Sequence, residues 1–443
     1  MEAGFALALA APPRPGSTAL FLLIFGAVFV AYLQAIRVAP RAGAEAATAK
    51  LILGFALLFR LTFLGAAPVL SDDIYRYLWD GRIVLSGGNP YLETPAATGP
   101  ASPGDPLYAR LAHKEVGTIY PPAAQLLFAA GAAMTRGPAG IKIILVLCDL
   151  AATALLLSLL KRLGLPASRA LIYAWNPLTV IEVAWSGHLE PAGLLLTLLA
   201  SLAIIQGWKG RSAIALTLAG LVKILPLALF LPFARSLRAP RVLLWAPLLA
   251  AAAFWPFRAA GRHLASGAGV YARHWSGNEA IFGLVRAAII AIDPTPALKR
   301  GLDLLRSGMP GQDLLARLYP YLYPDDLARA FCAAAAAAGA IVIVRRVRDP
   351  LRGAYLVTGL LLLLSPTLHP WYLLWVLPWV CLFPSRAWVL LTGLSIFFYV
   401  NLGASSELSE PYPWIRYVEY LPFFALLALD GGGSRLVRRR AGW

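Results

Sequence analysis

Long apolar runs recur between Ser17 and Asp430, each interrupted by a short polar or proline-rich break. A helix needs about 20 mostly apolar residues to cross a bilayer. The pattern predicts such helices near 18–36, 47–66, 119–135, 139–160, 170–186, 190–207, 212–234, 241–258, 328–345, 352–366, 370–384, 387–403 and 412–430. The expected fold is an all-α polytopic membrane bundle of roughly 13 transmembrane helices, one integral domain over 1–443. Two stretches, 68–118 and 259–327, are too polar to span and too long to be plain connectors. Loops beyond about 15 residues in a compact protein are usually functional. Their aromatic residues, among them Tyr75, Tyr77, Trp79, Tyr91, Tyr271 and Trp275, suit short helices lying at the membrane surface, where one end of each ring is apolar and the other wet. The alanine run Ala333 to Ala338 reads as a closely packing helix face.

Composition sharpens this picture. Apolar residues make up 59% of the 443 and charged residues 14%, against roughly 25% charged in soluble chains. A water-soluble globule, a disordered chain, collagen and a coiled coil are all excluded. The formal net charge is +17, which in a polytopic protein reflects cytoplasmic loop charge rather than a nucleic-acid partner. Clusters at Arg235, Arg238 and Arg241, at Arg345, Arg346, Arg348 and Arg352, and at Arg435, Arg438, Arg439 and Arg440 are therefore placed inside. Counting back from them puts 259–327 and the Pro366 to Pro370 turn outside. Within the first half two solutions remain: 212–234 is one span, or it is a hairpin broken at Lys223 and Pro226 with 119–135 re-entrant. Both place 68–118 on the outer face. Met1 to Ala11 is apolar without a basic leading region, so no cleaved signal peptide is expected. Cys148, Cys332 and Cys381 lie in apolar runs and read as small hydrophobes.

Several chemistries drop out. The chain has no GxxxxGK[ST], GxGxxG or GxSxG motif, hence no written nucleotide cradle or nucleophile elbow. His113, His188, His263, His274 and His369 never pair at helical ligand spacing. Carboxylates, arginines and isolated histidines at the outer boundary remain. The densest group is SDDIYRYLWDGR at 71–82, directly after a span. As a helix it sets Asp73, Arg76, Tyr77 and Asp80 on one face. At a water–lipid edge the reduced dielectric lets one carboxylate act as a base toward a hydroxyl. The competing reading makes Asp72 and Asp73 helix caps neutralised by Arg76 and Arg82.

Further on, Glu182, His188 and Glu190 stand among apolar residues, and Lys223 interrupts GLVKILP at 220–226. Ionisable groups at membrane depth are costly and usually face a cavity. The structural alternative is a packed, hydrogen-bonded His188 and a Lys223 salt bridge, with Asp149 or Glu182 as partner.

Taken together, SDDIYRYLWDGR (71–82), GGNPY (87–91), YPP (120–122), WNPL…SGHLEP (175–191), GLVKILP (220–226), RHWSGN (273–278) and SPTLHPWYLLWVLP (365–378) resemble the polytopic glycosyltransferases of the C-type (GT-C) fold. They resemble especially the bacterial polyprenyl-phosphate-mannose-dependent mannosyltransferases. These motifs span nearly the whole chain in order. One departure is that two apparent spans precede the first large outer loop, where many relatives have one.

The resemblance implies a bundle with two long extracytoplasmic loops in the bacterial inner membrane. It implies transfer of a hexose, mannose by family default, from a polyprenyl-phosphate donor to an acceptor hydroxyl with inversion. The acceptor is a glycolipid, glycan or protein. Asp73 matches the family's acidic residue in the first outer loop and is the expected base, with Asp72 its neighbour. Charge growing on the departing lipid phosphate calls for cations: Arg76, Lys223, His188 and His369 are the candidates. Tyr77, Asp80, Arg82, Asn89, Tyr91, Tyr120, Glu190, His274, Trp275, Asn278, Trp371 and Tyr372 complete the substrate-binding set. No cofactor is required by this scheme; a divalent metal at Asp72 and Asp73 is left open, not indicated. The competing class is a transporter or flippase of lipid-linked sugars, which gathers charge at midplane between similar halves. Here the halves look dissimilar and the sharpest cluster lies in an outer loop.

Overall fold

A computed structural model describes residues 1–14, 17–39, 45–237, 245–307, 315–402 and 414–437. Arg238, Arg241, Arg438, Arg439 and Arg440, on which the loop-charge argument drew, lie outside the described residues. Among those described, no strand forms. The principal helices of the first half are α1 (Glu2–Ala10), α2 (Ala19–Val38), α3 (Glu45–Leu64), α4 (Asp73–Leu85), α5 (Pro122–Met134), α6 (Ala139–Arg162), α7 (Glu190–Ile205) and α8 (Lys209–Val222). Those of the second are α9 (Trp245–Phe254), α10 (Ser266–His274), α11 (Ile281–Ile292), α12 (Thr295–Ser307), α13 (Pro324–Arg346), α14 (Pro350–Leu364), α15 (Arg386–Leu394) and α16 (Ile415–Val437).

Among the described residues, α2, α3, α6 and α13 are long and apolar enough to cross a membrane. The chain is a membrane protein. Other predicted stretches are present as shorter apolar helices, such as α5, α7 and α14, or as broken ones. Inside 259–327, read from sequence as too polar to span, α11 and α12 together are apolar enough but bend by 70°. The run 212–234 is not one helix: α8 stops at Val222, Lys223 is extended (φ −151°, ψ 139°), and a 3₁₀ turn follows over Leu225–Leu229. The alanine run in α13, expected to pack closely, is mostly exposed; Ala328, Cys332 and Ala340 make the contact instead.

Local chemistry explains many helix starts. Thr94, Asp105, Asn176 and Asp349 each precede a proline and accept a hydrogen bond from a backbone N–H of the first turn. Proline fits the first helical position because its missing N–H would be unpaired there anyway. Two contacts seat α4. Gly81 lets α5 approach so closely that a Cβ there would lie 2.3 Å from the Phe128 carbonyl oxygen, and Tyr77 stacks on Phe128 at 4.5 Å. Behind it, the fully buried Arg60 of α3 donates Nε to Asp149 of α6 at 2.8 Å, and the Tyr173 hydroxyl donates to the same carboxylate at 2.6 Å. This ion pair ties α3 and α6 to a broken stretch: Leu171–Ala174, Pro177–Val180, then a π-helical turn over Ile181–Ser186. Gly187 closes that turn at φ 78°, a backbone state open to glycine at little cost.

Candidate active site

Asp73 opens α4 with its side chain 41% exposed, and its Oδ2 lies 3.6 Å from Nδ1 of the fully buried His188. The other nitrogen of that imidazole, Nε2, lies 3.3 Å from Oε2 of Glu182, also fully buried. Glu182 accepts a 2.5 Å hydrogen bond at Oε1 from the Tyr399 hydroxyl. The His188 ring lies flat on Trp371, centroids 3.9 Å apart and planes 13° from parallel. His369 stacks on the same indole at 4.5 Å.

Two residues beyond His188, Glu190 starts α7 and forms an ion pair with Lys223. The Lys223 ammonium also stands 4.4 Å over the Tyr372 ring, and the Tyr372 hydroxyl shares a 2.5 Å hydrogen bond with that of Tyr271. The break in the chain after α8 brings the lysine here. Its partner is neither Asp149, which Arg60 holds, nor Glu182, which faces His188.

Electrostatics separate donors from bases. Burial first, then the carboxylates of Asp73 and Glu190, push the Tyr77 hydroxyl well above its ordinary value. Burial pushes Tyr271 up to about 12, with the same two carboxylates adding to it. Both phenols stay protonated at neutral pH. Burial, with His188 and Lys223 nearby, pushes His369 down to about 3, so its imidazole is neutral. Asp73 is the partly exposed carboxylate among these groups. Among the described residues, no three His, Cys, Asp or Glu side chains are grouped to hold a metal ion.

The structure thus gathers Asp73, Tyr77, His188, Glu190, Lys223, His369, Trp371 and Tyr372 from the sequence-derived set. Tyr120 joins them edge-on to Tyr77 at 5.0 Å. Trp275 is one step away, 5.4 Å from Tyr271 and 4.4 Å from His113. Other members are engaged in building the scaffold. Arg76 donates Nε to the buried Asp80 at 2.8 Å and another N–H to the Val116 carbonyl at 2.9 Å. Arg82 donates to the Arg136 carbonyl at 2.6 Å. Asn89 shapes the turn by accepting from the Tyr91 N–H at 3.1 Å, and the Tyr91 hydroxyl donates to the Tyr120 carbonyl at 2.8 Å. Asp72 occupies the cap position of α4 without a side-chain cap bond; partial burial raises its carboxyl against the pull of Arg110. His274 is exposed at the end of α10.

Asn278, buried at φ 49°, braces the site from behind. It donates to the Leu368 carbonyl at 3.2 Å and to Glu419 at 2.8 Å. Beside it, Gly277 bonds Pro366 and Leu368 at 3.1 Å each, a parallel bridge that sews 273–278 to 365–371.

Sequence reasoning singled out Glu182 as a costly residue but gave it no site role, and it missed Tyr271 and Tyr399 there. At about 100° per residue, six residues of α-helix would turn Glu182 well away from His188. The π turn and Gly187 bring them together, and no local spacing rule announces that.

Comparison with known families supplies the remaining context. The family model described as alpha-(1->6)-mannopyranosyltransferase, N-terminal domain (MptA_B family), matches residues 5–240, and the MptB C-terminal domain matches 326–427. The first covers more than half of the 443 residues and carries Asp73, Glu182, His188, Glu190 and Lys223. The second carries His369, Trp371, Tyr372 and Tyr399. No curated protein and no solved structure matches the chain. With both family domains present in order on a helical membrane scaffold, the chain belongs to the MptA_B family of alpha-(1->6)-mannopyranosyltransferases and is a glycosyltransferase that transfers mannose.

Proposed function

We propose that this mannosyltransferase takes its sugar from a polyprenyl-phosphate donor and delivers it, with inversion, to an acceptor hydroxyl on the extracytoplasmic face of a bacterial inner membrane. In this reading the predicted stretches form about 13 spans, and 68–118 and 259–327 lie on that outer side. Asp73 is the general base. The observation that carries the reading is the half-open Asp73 carboxylate lodged beside His188 within the cluster of Lys223, Glu190 and protonated phenols.

The acceptor O–H proton passes to Asp73 as the oxygen attacks the anomeric carbon, and the bond from that carbon to the phosphate oxygen breaks. Polyprenyl phosphate departs carrying the released electron pair. Lys223 is the cation proposed to meet that charge, since its ammonium stands in the cluster with Glu190 and Tyr372, whereas Arg76 turns to Asp80 and the Val116 carbonyl and His369 is neutral. A fixed, partly desolvated ammonium is worth more there than in water. Trp275, partly exposed, offers a flat apolar face against which a pyranose ring stacks, while the buried Trp371 holds the rings of His188 and His369. Inversion toward the alpha linkage in the family's description requires a beta-linked donor, and a (1->6) link makes the nucleophile a primary hydroxyl.

Asp73→Asn tests the base. It keeps size and removes proton affinity, so turnover should fall by about 10²- to 10⁴-fold, the usual contribution of a general base, while donor binding persists. Release of polyprenyl phosphate from a panel of polyprenyl-phosphate sugars, both anomers included, measures it. Undiminished turnover in that variant would eliminate Asp73 as the base.

A further inference from the structure

We infer that Glu182 is a positioning residue for the reaction, acting on Asp73 through His188, with Tyr399 as its anchor. The inference rests on the reading of Asp73 as base and goes beyond it.

Four observations converge. First, the two nitrogens of His188 face two different carboxylates, Asp73 at 3.6 Å and Glu182 at 3.3 Å. An imidazole so flanked directs an N–H toward each in its protonated form. Second, the ring cannot swivel freely, because its face is stacked on Trp371 at 3.9 Å. Third, Glu182 is itself aimed: the Tyr399 hydroxyl holds Oε1, which leaves Oε2 turned to the histidine. Fourth, the backbone repeats the connection, since the His188 N–H donates to the Glu182 carbonyl at 2.9 Å across the π turn. A buried carboxylate inside an apolar helix bundle is costly, and a wide helical turn is a frequent mark of functional sites. Here both occur at one residue, on the side of His188 away from Asp73.

The consequence is an inverted version of the familiar hydrolase arrangement, in which a carboxylate orients a histidine that serves a nucleophile. In this chain a carboxylate orients a histidine that holds the basic carboxylate. The His188 N–H fixes Asp73 Oδ2, so that the carboxylate meets the acceptor hydroxyl in one rotamer. Neither contact, at 3.6 Å to Asp73 and 3.3 Å to Glu182, is a closed hydrogen bond here, as catalytic contacts commonly are not before substrate closes them.

Glu182→Gln keeps shape and removes the charge. It should lower kcat by about tenfold to hundredfold, the range a charge-assisted hydrogen bond supplies, and leave KM for the donor unchanged. Because Glu182 works only through Asp73, combining Glu182→Gln with Asp73→Asn should be no slower than Asp73→Asn alone. A merely structural Glu182 would instead slow both backgrounds by the same factor. Radiolabelled donor gives the sensitivity to compare the residual rates.

Wild-type kcat in folded Glu182→Gln, or a decrease that multiplies with that of Asp73→Asn, overturns the inference. Should the buried amide prevent folding, Tyr399→Phe replaces it, and an unchanged kcat there is equally decisive. Failure of the base reading looks different: Asp73→Asn would then be active, whatever Glu182→Gln does.

Discussion

Replacing Lys223 with methionine separates two roles that its place in the site allows. The Glu190 side chain has no exposure, whereas Lys223 keeps 23%. Removing one member of a buried pair costs about 3–5 kcal/mol, because the other charge is left without compensation. Solvent access to the ammonium screens the pair and puts the expected loss near the lower end, about 3 kcal/mol. Losing the ammonium from the face of Tyr372, 4.4 Å away, adds about 0.5–1 kcal/mol. Lys223→Met combined with Glu190→Gln removes both charges, and stability should return to within about 1 kcal/mol of wild type. Turnover then discriminates. If the ammonium also meets the leaving phosphate, the double variant stays slower by about 10²- to 10³-fold, as when one preorganised donor to developing charge is lost. Thermal unfolding in detergent, followed by tryptophan fluorescence, reads the first quantity; release of polyprenyl phosphate reads the second. A double variant that is both stable and fully active would refute the phosphate role, leaving Lys223 as the counter-ion of Glu190.

Two further outcomes follow from the geometry. Arg60→Met leaves the fully buried Asp149 without its cation, so unfolding in detergent should become easier by about 3–5 kcal/mol, and Arg60→Met with Asp149→Leu should recover most of it; additive losses would contradict the pairing. His369 is pushed down from 6.5 to about 3, so between those values the unfolded chain binds more protons than the folded one, and stability falls as pH drops below about 6.5. The melting temperature should decline between pH 7 and 5, and His369→Gln should flatten that slope; identical slopes would count against a half-buried neutral imidazole.

How much of this was legible in the chain depended on distance along it. The 71–82 helix was readable because its charges sit at helical spacing, and the structure sets it beside α5 as α4. The strip nonetheless divides. Arg76 and Asp80 pair with each other, which four-residue spacing permits, yet the Val116 carbonyl that the arginine also bonds lies 40 residues away. Lys223 was recognised as a costly charge, but its partner depended on where the chain breaks after α8, and that break left Glu190 nearer than Asp149 or Glu182. Asn89, Tyr91 and Asn278, which the family resemblance places in the substrate-binding set, bond distant backbone carbonyls at Phe257, Tyr120 and Leu368, partners that no spacing along the chain announces. Hydropathy predicts continuous helices over 170–186 and 370–384, where the chain is divided into short helical turns, because it averages over windows wider than those breaks.

The widened turn at Ile181–Ser186 acts as a counter of residues. Each helical residue rotates the chain by about 100°, so deleting one here would restore ordinary winding and swing the Glu182 carboxylate out of register with His188. An insertion would do the same in the other sense. Over this stretch the geometry constrains the number of amino acids more than their identities, and a homologue that varies in composition should still keep the same interval from Asn176 to His188.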